Sequence, residues 1–196
     1  EKITKGSIVF TGTYKGNPAY NVVVLYDENG NIVEALYGEY IWNTENGSVS
    51  IYRYRNKIWS EVFVFPPNSI KHIHNIVYDQ YKDRYLILTG DSDSESGIWK
   101  ADTDFKNVEP IISGKQIYRA CVAYPTKNGI YYATDTPLEQ NKLYKFMICP
   151  DRVFMELYLT TIYSCQRQLR AIHRLANFDT DCPIGLGKVL RTEMYI

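Results

Sequence analysis

The sequence predicts an all-β fold, a partial β-propeller of about three four-stranded blades, with an irregular or helical C-terminal tail. A shift of 44 to 45 residues lays LTGDSDSESGIWKA (residues 88–101) on ATDTPLEQNKLYKF (residues 133–146). A weaker copy lies upstream, where LYGEY (residues 36–40) resembles LTGD. Repeats of about 40–50 residues that consist of short strands are typical of propeller blades. The 18 tyrosines agree with this fold class, because tyrosine favours strands.

Strands and tight turns alternate along the first third of the chain. Residues 7–14 are predicted to form a strand, and residues 21–31 a second strand closed by the hairpin sequence Asp-Glu-Asn-Gly. Residues 48–55 and 57–65 are predicted to form another hairpin about a short Asn-Lys turn. The Pro-Pro-Asn sequence at residues 66–68 then breaks the pattern and starts a new unit.

The clearest unit follows this break. Its four predicted strands lie at residues 72–79, 84–89, 97–101 and 108–112. The Leu-Ile-Leu run in the second strand is apolar on both faces, which is expected of a strand that lies between two neighbouring blades.

The next unit repeats the first three of these strands, at residues 118–124, 129–134 and 142–147, but a fourth is not evident. The sequence therefore predicts a partial propeller at residues 1–148 and an atypical segment at residues 149–196. Two interpretations of that segment stay open: a helical closing element, or a sequence altered by a shifted reading frame.

Composition limits the classes of partner. The 196 residues include 22 basic and 22 acidic side chains, so no global field attracts nucleic acid or an anionic membrane. No apolar run reaches transmembrane length. The four cysteines match neither a zinc pattern nor a dense disulfide framework, which favours a reducing, cytoplasmic compartment.

The repeat also selects candidate functional residues. Asp91 falls on Asp135 and Glu95 on Glu139, both 44 residues apart, and His74 falls on Arg119, 45 residues apart. His72 shares a strand face with His74, because side chains alternate along a strand. In a propeller, equivalent positions are related by rotation about the axis. We therefore expect His72, His74, Asp91, Arg119 and Asp135 to converge at one end of the axis, with Glu95 and Glu139 at its rim.

Several chemistries suit this set. Asp91 and Asp135, with His72 and His74, are candidate catalytic residues for acid–base cleavage of a glycosidic bond. Arg119, with Glu95 and Glu139, is a candidate for substrate binding, since a guanidinium grips a sugar carboxylate bidentately. The two histidines and a carboxylate suit a divalent metal as an alternative. The structural interpretation is that the aspartates cap turns and the glutamates form ion pairs.

The motifs HIHNI (residues 72–76), TGDSDSESGIW (residues 89–99), Gln-x-Tyr-Arg-Ala (residues 116–120) and TDTPLEQN (residues 134–141) resemble sialidase-type propellers with BNR (Asp-box) repeats. The resemblance covers residues 35–146. The Asp box itself is degenerate, and neither an arginine triad nor a Tyr/Glu nucleophile pair is evident.

The resemblance implies a carbohydrate partner and a glycoside hydrolase acting on a bacterial, acidic glycan at the axial channel. The alternatives are a non-catalytic propeller that binds glycan or protein, and a metal-assisted polysaccharide lyase. A hydrolase needs two carboxyl groups about 5–10 Å apart, at least one of them with a raised pKa. A binding protein needs only polar groups and aromatic faces.

Overall fold

The computed structural model describes residues 19–137, 139–149 and 152–159 of the chain. The strand predicted at residues 7–14 and the tail from residue 160 lie outside this part. The described chain is all-β, as the sequence predicted, and forms three antiparallel sheets of four strands each. Among the described residues, no helix is long and apolar enough to cross a membrane.

Each sheet is a meander in which neighbouring strands are consecutive in the chain. The first sheet consists of β1 (Ala19–Tyr26), β2 (Ile32–Glu39), β3 (Val49–Arg55) and β4 (Ile58–Phe65). The second consists of β5 (His72–Asp79), β6 (Arg84–Gly90), β7 (Gly97–Asp102) and β8 (Val108–Ser113). The third consists of β9 (Ala120–Thr126), β10 (Gly129–Thr134), β11 (Leu143–Cys149) and β12 (Arg152–Leu159).

Both hairpins predicted for the first sheet are confirmed. The Asp27 carboxylate accepts the backbone N–H groups of Asn29 and Asn31, at 2.9 and 2.8 Å, and fixes the β1–β2 turn. In the β3–β4 turn, Asn56 and Lys57 have φ values of 54° and 65°. Two successive left-handed residues are characteristic of the type I′ turns that match the twist of a hairpin.

Two local predictions are wrong. The strand expected to begin at residue 118 begins at Ala120 instead, because residues 116–118 form one turn of 3-10 helix (Gln116–Tyr118). The third sheet does not lack its fourth strand. β12 pairs antiparallel with β11 from Cys149 opposite Arg152 to Leu143 opposite Leu159, so the sheet continues past the boundary predicted at residue 149.

The core lies between neighbouring sheets, and β6 contributes to both of its halves. Ile87 packs in the cluster shared by the first and second sheets, with Leu36 and Phe65. Leu86 and Leu88 point the other way, into the cluster shared by the second and third sheets. All three β6 side chains are fully buried. The prediction that this run is apolar on both faces is therefore confirmed.

The first strands of the sheets lie close to one another. β5 contacts β1 and β2 of the first sheet, and β9 contacts β5 and β6 of the second. The same relation thus joins the first sheet to the second and the second to the third. It brings the beginnings of β5 and β9 together with the loop that follows β6.

Candidate functional site

A polar cluster forms where three segments meet. β5 begins at His72, which pairs with Gly90 at the end of β6, so Asp91 enters the loop beside the histidine. Arg119 directly precedes β9, which packs against β5. The structure therefore brings His72, His74, Asp91 and Arg119 together, and we call these four residues the Asp91 cluster.

Asp91 is the centre of this cluster. Its Oδ1 lies 2.9 Å from Arg119 Nη2, 3.4 Å from His72 Nε2 and 3.5 Å from His74 Nε2. Its Oδ2 lies 3.3 Å from Lys71 Nζ. One carboxylate, with a side chain 30% exposed, thus contacts two fixed cations and two imidazole rings.

The histidine rings are oriented by backbone carbonyl groups. His72 Nδ1 lies 2.8 Å from the carbonyl oxygen of Ile41, and His74 Nδ1 lies 3.0 Å from that of Ala120. A carbonyl oxygen only accepts hydrogen bonds, so each Nδ1 carries a hydrogen. The two Nε2 atoms lie 3.1 Å apart and face Asp91.

The loop that carries Asp91 is held by its backbone. The Asp91 carbonyl oxygen accepts hydrogen bonds from Gln116 Nε2 at 2.8 Å and from Arg119 Nη1 at 3.1 Å. Buried Arg119 Nε and Gln116 Oε1 have no hydrogen-bond partner among the described residues. The 3-10 turn therefore positions Gln116 and Arg119 against the backbone of Asp91. One buried polar atom of each side chain has no hydrogen-bond partner in the part of the chain that the structure describes.

The absence of a side chain at Gly90 makes room for the cluster. A Cβ atom at Gly90 would lie 2.5 Å from His74 Cε1 and 3.2 Å from Arg119 Cγ. Real Cβ atoms essentially never approach other atoms as closely as the first of these distances. Glycine is thus required here by the neighbouring ring rather than by its own backbone conformation.

The electrostatics follow from partial burial. A hydrogen bond from His74, and the charges of His72 and Arg119, hold the pKa of the Asp91 carboxyl well below its usual range. Burial lowers the pKa of His72, since it penalises the charged imidazolium. Burial also raises the pKa of Tyr40, whose ring centroid lies 4.2 Å from that of His72.

The other predicted residues lie at or outside the edge of the cluster. Asp135 follows β10 as Asp91 follows β6; its backbone N–H donates to Arg119, and its carboxylate accepts the Cys121 thiol at 3.1 Å. Glu95 turns back onto its own loop and accepts the Ser92 hydroxyl and backbone N–H, at 2.6 and 2.9 Å.

Glu139 forms an exposed pair with Lys142, its Oε2 atom 3.8 Å from Nζ. Of the seven predicted site residues, Glu95 and Glu139 therefore make their side-chain contacts within their own loops and not with the Asp91 cluster.

Sequence reasoning missed three residues at this end of the sheets. Tyr40 packs against His72 with its ring tilted, Lys71 contacts Asp91, and Trp42 lies beside Lys71 with 85% of its surface exposed. Tyr40 and Trp42 lie in the loop that follows β2, the strand that carries most of the weak LYGEY copy. The sequence did contain a signal for Tyr40 and Trp42. They follow the end of β2 as Asp91 follows the end of β6, so the repeat placed them at the same end of the sheets.

The cluster offers a set of donors for a metal ion. His72, His74 and Asp91 each provide one ligand atom, and these atoms lie within 4.8 Å of one another. Comparisons with family models, with curated proteins and with solved structures found no match to this chain. The function of this chain is therefore inferred from the geometry of its site.

Proposed function

We propose that this chain binds an acidic glycan at the end of the sheets where the Asp91 cluster lies, and that the three sheets are neighbouring blades of a β-propeller. The propeller proposal is supported by the meander within each sheet and by the repeated contact of each first strand with the preceding sheet. In such an arrangement the strand starts that carry His72 and Arg119 face the central axis.

The binding proposal is supported mainly by the exposure of the Trp42 side chain to solvent. Its side chain is 85% exposed, although burying an aromatic side chain of this size would contribute about 2 kcal/mol. Its two neighbours are anchored: the Ile41 carbonyl accepts from His72, and the Asn43 side chain donates to the Lys71 and Gly47 carbonyls. The indole is thus held in solvent on a fixed backbone.

An exposed indole on a fixed backbone suits the apolar face of a sugar ring, because an aromatic side chain offers a flat apolar surface. Lys71 Nζ lies 6.0 Å from the centroid of the Trp42 ring and 3.3 Å from Asp91 Oδ2. A sugar stacked on Trp42 therefore places its substituents near an ammonium group. A carboxylate substituent pairs with that charge, which favours an acidic glycan.

The geometry supports binding more than two-carboxylate hydrolysis. A glycosidase needs one carboxylic acid that is protonated near neutral pH, and this requires a raised pKa. A hydrogen bond from His74 and the charges of neighbouring groups lower the pKa of Asp91. Burial raises the pKa of Glu95, but hydrogen bonds from Ser92 outweigh it and lower the pKa overall. Both carboxyl groups are therefore ionised at neutral pH and suited to hold cations or orient a ligand.

The test compares uronic acid oligosaccharides with neutral oligosaccharides of the same length by isothermal titration calorimetry. We expect the acidic ligand to bind more tightly, and Trp42→Ala to weaken its binding about tenfold, since covering a large apolar side chain contributes roughly 1.5 kcal/mol or more and about 1.4 kcal/mol is a factor of ten. Lys71→Met keeps the aliphatic stem and should remove the preference for the acidic ligand.

Control substitutions of exposed side chains are available at the opposite end of the sheets, near the hairpin turns. Ile58→Ala removes an apolar side chain that is 67% exposed, and Lys127→Ala removes an exposed lysine in the β9–β10 turn. Both variants should bind as the wild type does. Unchanged binding by Trp42→Ala, or equal binding of acidic and neutral ligands, would contradict the proposal.

A further inference from the structure

We propose that His72 Nε2, His74 Nε2 and Asp91 Oδ1 are three ligands of a tetrahedral divalent-metal site of the zinc type, with an open fourth position. This inference goes beyond glycan binding and does not depend on it. It is carried by the separations of the three atoms, by the orientation of the rings and by the groups that hold the carboxylate.

The separations match a tetrahedron. The Nε2–Nε2 distance is 3.1 Å, and the two Nε2–Oδ1 distances are 3.4 and 3.5 Å. Metal–nitrogen and metal–oxygen bonds of about 2.0–2.1 Å at tetrahedral angles require ligand atoms about 3.4 Å apart. The three atoms therefore already lie close to the edges of such a site, and an ion can enter without a large rearrangement.

The ring orientations support the same assignment. Because each Nδ1 donates to a backbone carbonyl, the remaining lone pairs of the neutral His72 and His74 rings lie on Nε2 and point toward each other and toward a carboxylate. Three electron-rich atoms in contact repel unless a proton or a metal cation lies among them. Donation of the second ring N–H to a carbonyl is the usual arrangement around histidine ligands of metals.

The Asp91 carboxylate is also held as a ligand would be. Arg119 contacts the proposed ligand atom Oδ1, and Lys71 contacts the second oxygen, Oδ2. These contacts fix the carboxylate, but the positive charges of Arg119 and Lys71 oppose the binding of a metal cation. We therefore expect micromolar affinity, weaker than that of structural zinc sites, and an anionic fourth ligand.

The donor set selects the metal. Two imidazoles and one carboxylate suit Zn²⁺ and its neighbours Co²⁺ and Ni²⁺, whereas Ca²⁺ and Mg²⁺ prefer six or more oxygen ligands. Three protein ligands with a fourth position open are typical of zinc sites that bind a water molecule or a ligand. The Asp91 cluster has this composition.

The experiment is a titration of the full, metal-free chain with Co²⁺, followed by visible absorption, in the absence of glycan. We expect one equivalent of Co²⁺ to give the intense visible bands of a tetrahedral site without a thiolate charge-transfer band, and Zn²⁺ to displace it. His72→Asn and His74→Asn keep a donor near the position of Nδ1 but remove the ligand atom Nε2. Each should weaken binding by at least about 100-fold, the upper end of the loss seen when only a group that orients a ligand is removed.

Asp91→Asn should also weaken binding, whereas Asp135→Asn, which changes the equivalent carboxylate of the third sheet, should not. Circular dichroism checks that each variant is folded; if the histidine variants are not, the wild-type spectrum and Asp91→Asn still decide. An octahedral or absent Co²⁺ spectrum in the wild type, or unchanged binding by Asp91→Asn, would overturn the metal site. Neither result affects the glycan titration.

Discussion

Each end of the sheets holds a carboxylate that is at least partly buried, but the two carboxylates have different neighbours. Glu34 at one end is surrounded by hydrogen-bond donors, whereas Asp91 at the other end also faces hydrogen-bond acceptors. One end contains the β1–β2 and β3–β4 hairpin turns. There Glu34, near the start of β2, is 3% exposed and accepts hydrogen bonds from Arg55 Nε and the Tyr85 hydroxyl. Each of these contacts joins a donor to an acceptor. At the other end, Asp91 faces two imidazole nitrogens that are themselves acceptors when the rings are neutral.

The difference separates a structural network from a binding site. The Glu34 network links the first sheet to the second through Tyr85 and leaves no repulsion that a ligand would relieve. The Asp91 cluster also links sheets, but it gathers electron-rich atoms and leaves Arg119 Nε unpaired among the described residues. We therefore expect substitutions at the first end to change stability and substitutions at the second to change binding.

The largest expected effect is that of Glu34→Ala. Removing this carboxylate leaves the buried Tyr85 hydroxyl without its acceptor, which costs up to about 3 kcal/mol, whereas Arg55, whose side chain is 42% exposed, is solvated by water instead. Urea denaturation should show this loss in the free energy of unfolding. Glu28→Ala, in the exposed β1–β2 turn, is the control and should change it little. If Glu34→Ala unfolds at the wild-type urea concentration, the network is not structural.

A smaller effect is expected for Gly90→Ala, which should change stability and binding together. The added methyl group meets the His74 ring, whose position is fixed by Ala120, so we expect a loss of about 2 kcal/mol and weaker Co²⁺ binding. Gly47→Ala, at the same end, is the control, because its nearest neighbour would lie 3.5 Å away. Normal Co²⁺ binding by Gly90→Ala would show that the His74 position does not matter for the site.

The smallest expected effect is a change in the free energy of unfolding at alkaline pH, caused by Tyr78 near Glu34. A hydrogen bond from the Tyr78 hydroxyl to Asp83 raises the pKa of Tyr78 to about 12, from about 10 in the unfolded chain. The folded state favours the neutral phenol, and this preference stabilises the fold. The stabilisation is complete below pH 10 and is lost as the pH rises toward about 12.

Tyr78→Phe lacks this contribution. The difference in unfolding free energy between the wild type and Tyr78→Phe should therefore shrink between pH 10 and 12, as measured by denaturation at each pH. Tyr85 is present in both proteins and cancels. A difference that stays constant across this range would show that the Tyr78–Asp83 hydrogen bond does not stabilise the fold.

The sheets could be predicted because their determinants are local. The Asp27 turn, the Asn56-Lys57 turn and the apolar run in β6 each specify strands through backbone conformation or alternation. β12 was missed because it carries no turn residues or repeat that resemble those of β4 and β8. Its evidence is its register against β11, which is a property of the paired strands and not of one segment.

The site could be predicted only in part, because the repeat specifies positions and not roles. Asp91, Asp135 and Glu39 occupy equivalent places in LTGD, ATD and LYGE, at or just after the end of a second strand. Yet Glu39 is buried and accepts the Ser50 N–H at 2.8 Å, and Asp135 accepts the Cys121 thiol. Only at Asp91 does the neighbouring strand begin with two histidines.

The most direct measurement is an anomalous difference map from crystals of the protein grown with Zn²⁺ and measured at the zinc absorption edge. We expect one strong peak about 2.0–2.1 Å from His72 Nε2, His74 Nε2 and Asp91 Oδ1, with the Nδ1 hydrogen bonds to Ile41 and Ala120 unchanged. A map without a peak among these three atoms, at a Zn²⁺ concentration that saturates the protein in solution, would contradict it.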